Sequence, residues 1–249
     1  MKQGVLVIHG IGTQREDFAK AFVEDMLLRV HRAGVEPVPF FEPAFWADVF
    51  DTTEAKIWNT VGTGLNFKEI RENLILGAGD AIAYQARWRD AVQARIRQAA
   101  AKIAHCDQIT IVAHSLGTVI ASDFIYDEQK KKPGSVGIGD RIQNFVTFGS
   151  PIPLWWLVWG DLDNPVRPKG KWLNFYDKDD VIGFPLANLP AYRPLAAEGV
   201  LEDRAINVGT MLTSWNPFSH NGYWKDEDFL KPVAELLAED WQKTLDSPG

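Results

Sequence analysis

ITIVAHSLGTVIA, residues 109–121, joins an apolar, β-branched run to a run of small, helix-compatible residues through a single serine. This pattern predicts a buried strand, a sharp turn at Ser115 and a helix. Ala113 and Gly117, two positions before and after the serine, are small, as a tight turn of this kind requires. We predict a strained backbone that lifts the Ser115 hydroxyl above the sheet. In the alternative interpretation, Ser115 is only the N-cap of an ordinary helix.

The composition is that of an ordinary globular protein. Of 249 residues, 46% are hydrophobic and 24% are charged, which allows a sizeable buried core. The net charge of −7, with no basic block, argues against nucleic acid or an anionic membrane surface as the main partner. Cys106 is the one cysteine, which excludes an intrachain disulfide, and no apolar run is long enough for a secretory signal or a membrane span. We therefore predict a cytoplasmic location.

Strand and helix patterns alternate along the chain. Short apolar runs predict strands at residues 5–8, 35–41, 109–113, 145–148, 172–176 and 205–208. This alternation predicts an α/β fold with a mainly parallel central sheet, helices on both faces and ligands bound at the carboxyl ends of the strands. Because no repeat or composition break divides the chain, residues 1–249 are expected to form a single domain.

Residues 43–84 form a segment that is too long for an ordinary connection between elements. Its aromatic and aliphatic residues recur with only loose helical spacing, which predicts a helical insertion. Two hypotheses stay open: the insertion is a cap or lid beside the site, or it packs elsewhere.

Four motifs make the chain resemble an α/β-hydrolase and, within that superfamily, a lipase or lipase-like esterase. They are His9-Gly10-Ile11-Gly12, Ala113-His114-Ser115-Leu116-Gly117, the acidic loop that ends at Pro185, and His220. Their order, serine, then aspartate, then histidine, is the order that this fold uses. The resemblance implies the α/β-hydrolase fold without the family's first two strands.

The resemblance also implies a catalytic triad with Ser115 as the nucleophile. His220 is the best candidate for the base, since His9 and His114 lie inside the two turn motifs. An isolated histidine in a loop is otherwise an ordinary surface residue. The position of His220 after the last predicted strand favours the catalytic role.

The acid of the triad lies among Asp177, Asp179 and Asp180, which follow one predicted strand. In lipase-like relatives the acid precedes a hydrophobic pair and, six residues on, a proline. Asp179, with Pro185, matches that spacing and is our choice, with Asp180 as the rival. The alternative is that these carboxylates only solvate a turn.

Two backbone amides are expected to form an oxyanion hole. The Leu116 amide lies at the start of a predicted helix, and the resemblance to His-Gly-x loops implies the Ile11 amide. A phosphate-binding loop is the alternative, but the pattern lacks a third spaced glycine and a P-loop lysine. No cluster of histidines and carboxylates has metal-ligand spacing, so neither a metal nor a cofactor is predicted.

Trp155 and Trp156 follow the Gly149-Ser150-Pro151 turn, at the edge of the sheet where the site is expected. Core packing is the ordinary role of such residues, whereas the sharper hypothesis makes them the lining of an acyl pocket for a lipophilic substrate. The sequence thus predicts hydrolysis of a small-molecule carboxylic ester through an acyl-enzyme. Amide or thioester hydrolysis or acyl transfer with the same triad, and a non-catalytic interaction domain, remain the alternatives. The sequence does not indicate an oligomeric state.

Overall fold

The computed structural model describes residues 1–11, 14–49, 81, 84–159, 163–208 and 217–246. Within these ranges one central sheet contains β1 (Gln3–Ile8), β2 (Phe40–Ala44), β3 (Gln108–His114), β4 (Ile142–Phe148), β5 (Trp172–Asp177) and β6 (Leu201–Ile206). The strands lie in the order β2-β1-β3-β4-β5-β6, and every neighbouring pair is parallel. The predicted fold class, with its parallel sheet, is therefore confirmed.

Helices cover both faces of the sheet. The longer ones are α1 (Lys20–Arg32), α2 (Arg89–Lys102), α3 (Leu116–Gln129) and α6 (Glu227–Leu245), and the short ones are α4 (Trp156–Trp159) and α5 (Arg193–Ala197). Side chains of the central strands alternate between two buried cores. Leu6 and Ile8 of β1 pack with α2 and α3, whereas Val5 and Val7 pack with α1 and α6. Because both faces are buried, most residues of the central strands are apolar.

Both edge strands differ from the sequence prediction. β2 begins at Phe40 rather than at residue 35, because Pro37 and Pro39 cannot donate hydrogen bonds to a neighbouring strand. β6 ends at Ile206, and the Val208 amide instead donates to the Asp177 carboxylate at 2.6 Å.

The N-cap of α6 is Asp226, whose side chain accepts the Asp228 amide at 2.8 Å. This cap fixes the start of the helix at Glu227, so that Pro232 lies inside the helix. Among the described helices, none combines the length and apolarity that crossing a membrane requires.

The predicted insertion at residues 43–84 lies mostly outside the described residues. Its first residues, Pro43 and Ala44, complete β2, and Ala47–Val49 form a 3₁₀ turn. Its last residue, Tyr84, opens a π-helical turn (Tyr84–Trp88) that leads into α2. The lid hypothesis stays a prediction.

Candidate active site

The turn at Ser115 has the strained geometry that its sequence predicts. Ser115 alone separates β3 from α3, and its φ of 53° and ψ of −131° lie in a region that non-glycine residues rarely adopt. A Cβ atom on Gly117 would lie 2.3 Å from the His9 carbonyl oxygen, and one on Gly10 would lie 2.6 Å from the Ser115 Cβ. Glycine at both positions lets the loop after β1 approach the serine closely.

A chain of buried hydrogen bonds holds the carbonyl group of Ser115. Thr118 Oγ1 donates to the Ser115 carbonyl oxygen at 2.7 Å and lies 2.9 Å from Ser150 Oγ. Because the Thr118 hydroxyl donates its one proton to that carbonyl oxygen, the Ser150 hydroxyl donates to Thr118 Oγ1. Ser150 Oγ in turn accepts the Ile152 amide at 3.4 Å. The Ser115 amide donates to the Phe148 carbonyl oxygen at 3.0 Å. The turn is thus tied to the end of β4.

His220 lies on a 3₁₀ helix (Pro217–Lys225) that follows β6 in the chain. Its Nδ1 atom is 2.8 Å from Asp180 Oδ2, and both residues are buried. With Nδ1–H donating to the carboxylate, Nε2 is the nitrogen that can take a proton. In the described part of the chain, Nε2 is buried and has no hydrogen-bond partner.

The acid beside His220 is Asp180 rather than Asp179, which corrects the residue chosen from the sequence. Asp177 accepts the Asp179 amide on its side chain at 2.8 Å, and this turn leaves Asp179 exposed. Asp180 follows and points inward, where its Oδ1 accepts the Ile182 amide at 3.1 Å and its Oδ2 faces His220. The three carboxylates therefore have different positions: Asp177 fixes the turn, Asp179 meets solvent and Asp180 meets the histidine.

Two glycines that sequence reasoning missed make room for this pair. A Cβ atom on Gly149, whose φ is +56°, would lie 2.8 Å from His220 Cε1, and one on Gly183 would lie 2.5 Å from Asp180 Oδ2. Gly149 directly follows β4, whose last residue, Phe148, pairs with His114 of β3. His220 therefore lies over the residue beside Ser115. The signal in the sequence was a glycine placed immediately after an apolar strand.

A parallel sheet, a strained serine between its third strand and a helix, and an aspartate and a histidine after the fifth and sixth strands together define one architecture. The protein has an α/β-hydrolase fold.

Solved structures of similar shape are distant in sequence. A cutinase-like protein from Cryptococcus sp. is 10% identical, with a TM-score of 0.46 over 96% of this chain and 95% of its own. A protein described as a hydrolase of the alpha/beta superfamily, from Xanthomonas campestris pv. campestris, is 13% identical, with a TM-score of 0.41 over 94% and 99%. A Pyrococcus furiosus esterase is 10% identical, with a TM-score of 0.40 over 96% and 83%. No family model matches the chain, and neither does any of the curated proteins.

His114, next to Ser115 in this α/β-hydrolase fold, ties the serine turn to His220. Its Nε2 donates to the His220 carbonyl oxygen at 2.7 Å, and its ring stacks on Phe148 at 4.9 Å. Burial, together with the nearby His220, lowers the pKa of His114 well below its usual value. A neutral His114 carries one ring proton, which the hydrogen bond to His220 uses.

His9 fixes the loop that carries Ile11. Burial lowers the pKa of His9 to about 4, so the ring is neutral at physiological pH. Its Nε2 accepts the Trp46 amide at 3.1 Å, and its Nδ1 donates to the Gly10 carbonyl oxygen at 2.7 Å. The Trp46 indole stacks on the ring at 4.6 Å and donates to the His9 carbonyl oxygen at 3.1 Å. Both of the histidines inside the turn motifs therefore brace loops.

The two predicted oxyanion donors lie on the loops that meet at the serine. Leu116 is the first residue of α3, where backbone amides have no acceptor within the helix. Ile11 follows the braced Gly10, which packs directly against the serine turn. Gly12 of the same motif lies outside the described residues.

A second polar network, not predicted from the sequence, holds the loop that carries Asp180. Asn174 of β5 donates to the Phe184 carbonyl oxygen at 3.0 Å and to Asp203 Oδ1 at 2.7 Å. The Asp203 carboxylate also accepts the amides of Leu186 and Ala187. This network fixes both ends of the loop, because β5 precedes Asp180 and residues 184–187 follow it.

The two predicted substrate-binding tryptophans have different environments. Trp155 is buried in the core on the α3 face, whereas Trp156 is 41% exposed. Leu157 is 88% exposed, and Val181, on the loop that carries Asp180, is 76% exposed. These two segments adjoin, since the Phe184 amide donates to the Ser150 carbonyl oxygen at 3.0 Å. Within the described ranges, no three His, Cys, Asp or Glu side chains are grouped so as to hold a metal ion.

Proposed function

We propose that this protein is a serine hydrolase that cleaves a carboxylic ester through an acyl-enzyme on Ser115. One observation carries the proposal. The buried His220–Asp180 pair lies over Gly149, and the neighbouring strand leads directly into Ser115, whose φ is 53°. Backbone strain at a serine costs stability and is typical of a nucleophile held for reaction.

In the proposed reaction, Ser115 Oγ attacks the carbonyl carbon of the ester while His220 Nε2 takes the hydroxyl proton. Asp180 holds the Nδ1–H group and stabilises the imidazolium. The amides of Leu116 and Ile11 donate to the oxyanion of the tetrahedral intermediate. His220 then protonates the departing alkoxide, which leaves an acyl group on Ser115. Water attacks this acyl group with His220 again as the base, which releases the acid and restores the serine.

A lipophilic acyl group fits the surface beside the site. Trp156, Leu157 and Val181 are apolar and exposed, and they follow the carboxyl ends of β4 and β5, where α/β sheets bind ligands. Trp155 contributes to this region as a core residue beneath them. A cytoplasmic location and a reaction without a metal or cofactor remain predictions from the sequence.

Labelling by a fluorophosphonate, located by peptide mass, tests the proposal. We expect label on Ser115 in the wild type, none in Ser115→Ala, and a sharp fall in rate in His220→Ala. Ser135→Ala is the matched control, since Ser135 lies beyond the far end of α3, about 20 Å from the turn by helix length. No labelling of the folded wild type, with detergent present to open a lid, would contradict the proposed function.

A further inference from the structure

Tyr223 contacts the same carboxylate oxygen as the proposed base. In a 3₁₀ helix, residues three apart lie on one side, so His220 and Tyr223 face the same way. The Tyr223 hydroxyl lies 2.8 Å from Asp180 Oδ2, which is also the distance of His220 Nδ1 from that oxygen. The spacing His-x-x-Tyr places the two side chains on one side only in a 3₁₀ helix, so the sequence alone does not predict their contact with one carboxylate.

The direction of the Tyr223 hydrogen bond is fixed. The Asp177 amide donates to the Tyr223 oxygen at 2.9 Å, so the hydroxyl proton is left for Asp180. Asp177 is itself held by the amides of Asp179 and Val208 on its carboxylate. Burial, with Asp180 nearby, raises the pKa of Tyr223 far above its usual value, so the hydroxyl keeps its proton.

We propose that Tyr223 is a positioning residue that lowers the affinity of the His220–Asp180 pair for an additional proton. The inference rests on the proposed function, because it assigns Tyr223 a role in keeping the base unprotonated. A carboxylate oxygen that already accepts the tyrosine proton attracts the imidazolium less strongly. The geometry thus favours a free Nε2 atom that can accept the serine proton.

The other titratable groups around the pair do not offset this effect. Asp180, on the loop after β5, is buried, which would raise its pKa, yet the donors His220, Ile182 and Tyr223 bring that pKa below its usual value. His114, at the end of β3, and His9, after β1, are neutral through burial. The Asp177 carboxylate accepts the backbone amides of Asp179 and Val208. Tyr223 is therefore the neutral side-chain donor whose removal should strengthen the attraction of Asp180 for a protonated His220.

The test compares Tyr223→Phe with Tyr84→Phe. Tyr84 is a matched control: it is buried, donates to Asp123 Oδ2 at 2.7 Å and accepts from Gln93 Nε2 at 2.8 Å, in contact with α2 and α3. We expect the acidic limb of kcat/KM against pH, measured on p-nitrophenyl acetate, to move up by about 0.5 to 1 pH unit in Tyr223→Phe. Tyr84→Phe should leave the limb in place while losing comparable thermal stability. An unmoved limb in folded Tyr223→Phe, or equal shifts in both variants, would overturn the inference.

A second substitution covers the case in which Tyr223→Phe does not fold. Replacing Tyr223 by 3-fluorotyrosine keeps the shape and makes the hydroxyl a stronger donor, so the acidic limb should move to lower pH. A shift to higher pH, or none, would contradict the inference.

The proposed function and this inference fail in different ways. Absence of Ser115 labelling in the wild type removes the proposed function. An NMR titration of the His220 ring in wild type and Tyr223→Phe measures the same shift without turnover. Coincident titrations would remove the role of Tyr223 even in an active enzyme.

Discussion

Two aspartates in this molecule, the buried Asp180 and the partly buried Asp123, each accept a hydrogen bond from a buried tyrosine, and they differ in their basic partner. Asp123, on α3, accepts from Tyr84 and from Arg89, whose Nε lies 3.0 Å away. Asp180 accepts from Tyr223 and from His220. Arginine keeps its charge at every relevant pH, whereas histidine gains and loses a proton near neutrality.

We infer that similar contacts serve structure in one place and the proposed chemistry in the other. Burial raises the pKa of Asp123, although Arg89 and Tyr84 oppose the shift. Burial alone would also raise the pKa of Asp180, but the hydrogen-bond donors outweigh this effect and lower that pKa. Oδ1 of Asp180 accepts the Ile182 amide, a backbone donor that adds to the two side-chain donors on Oδ2. We infer that the Asp123 cluster joins α2 to α3, while the Asp180 cluster orients a proton acceptor.

The largest expected difference between the clusters is in activity. Asp180→Asn should lower kcat/KM on p-nitrophenyl acetate by about 10²- to 10⁴-fold, because the imidazole loses its tautomer and its charge partner. Asp123→Asn should stay within about twofold of the wild type, since it lies away from the serine. Asp179→Asn, an exposed neighbour, serves as the control for the corrected acid. Equal losses in Asp179→Asn and Asp180→Asn would contradict the assignment.

The acid shows how far the sequence could go. A spacing rule selects among consecutive positions, but the side-chain acceptor of Asp177 sets which of the next residues turns inward. The rule therefore missed by one residue. The positions of Ser115 and His220 in the fold were predictable because local patterns mark them: small residues around a strand-to-helix turn, and a histidine after the last strand.

Residues that act through tertiary contact could not be found in this way. Gly149, Gly183 and Tyr223 are specified by what lies opposite them in space, and each has an ordinary role in an isolated sequence. The central strands were predictable because burial on both faces leaves a continuous apolar run. Edge strands β2 and β6 were displaced, since prolines and a side-chain acceptor, not hydrophobicity, set their ends.

Gly149→Ala should have the next largest effect on kcat/KM, and it tests whether activity depends on the position of His220 at the sheet edge. The added methyl group would lie 2.8 Å from His220 Cε1, so the imidazole must move, at a cost of about 10- to 100-fold in kcat/KM. Gly199→Ala is the matched control: its φ is +71°, and a Cβ atom there meets nothing within 4 Å. Alanine strains the backbone in both variants, because φ is positive at both positions. The decrease in the thermal unfolding midpoint measures this strain. If Gly199→Ala lost as much activity as Gly149→Ala, strain rather than contact with His220 would explain the loss.

Arg89→Met should weaken the remote cluster and spare the active site. It leaves the partly buried Asp123 without the Arg89 cation, and it also removes a contact of Arg89 with Asp127. Because a third of the Arg89 side chain is exposed, we expect a loss of about 1 to 3 kcal/mol in the free energy of unfolding in urea. kcat/KM below the denaturation range should be unchanged. A large loss of activity with little loss of stability would contradict the division between the two clusters.

The smallest expected effect is in the pH dependence of stability, where the two aspartates should act with opposite signs. The lowered pKa of Asp180 means that the unfolded chain binds its proton more readily, so stability from this group grows as pH rises from the folded pKa to 3.8. The raised pKa of Asp123 means the reverse: between 3.8 and the folded pKa, stability falls as pH rises. Urea unfolding of wild type, Asp180→Asn and Asp123→Asn from pH 3 to 6 measures both slopes. The advantage of wild type over Asp180→Asn should widen with pH, and its advantage over Asp123→Asn should narrow. Slopes of the same sign would mean that the histidine and the arginine act on their aspartates alike.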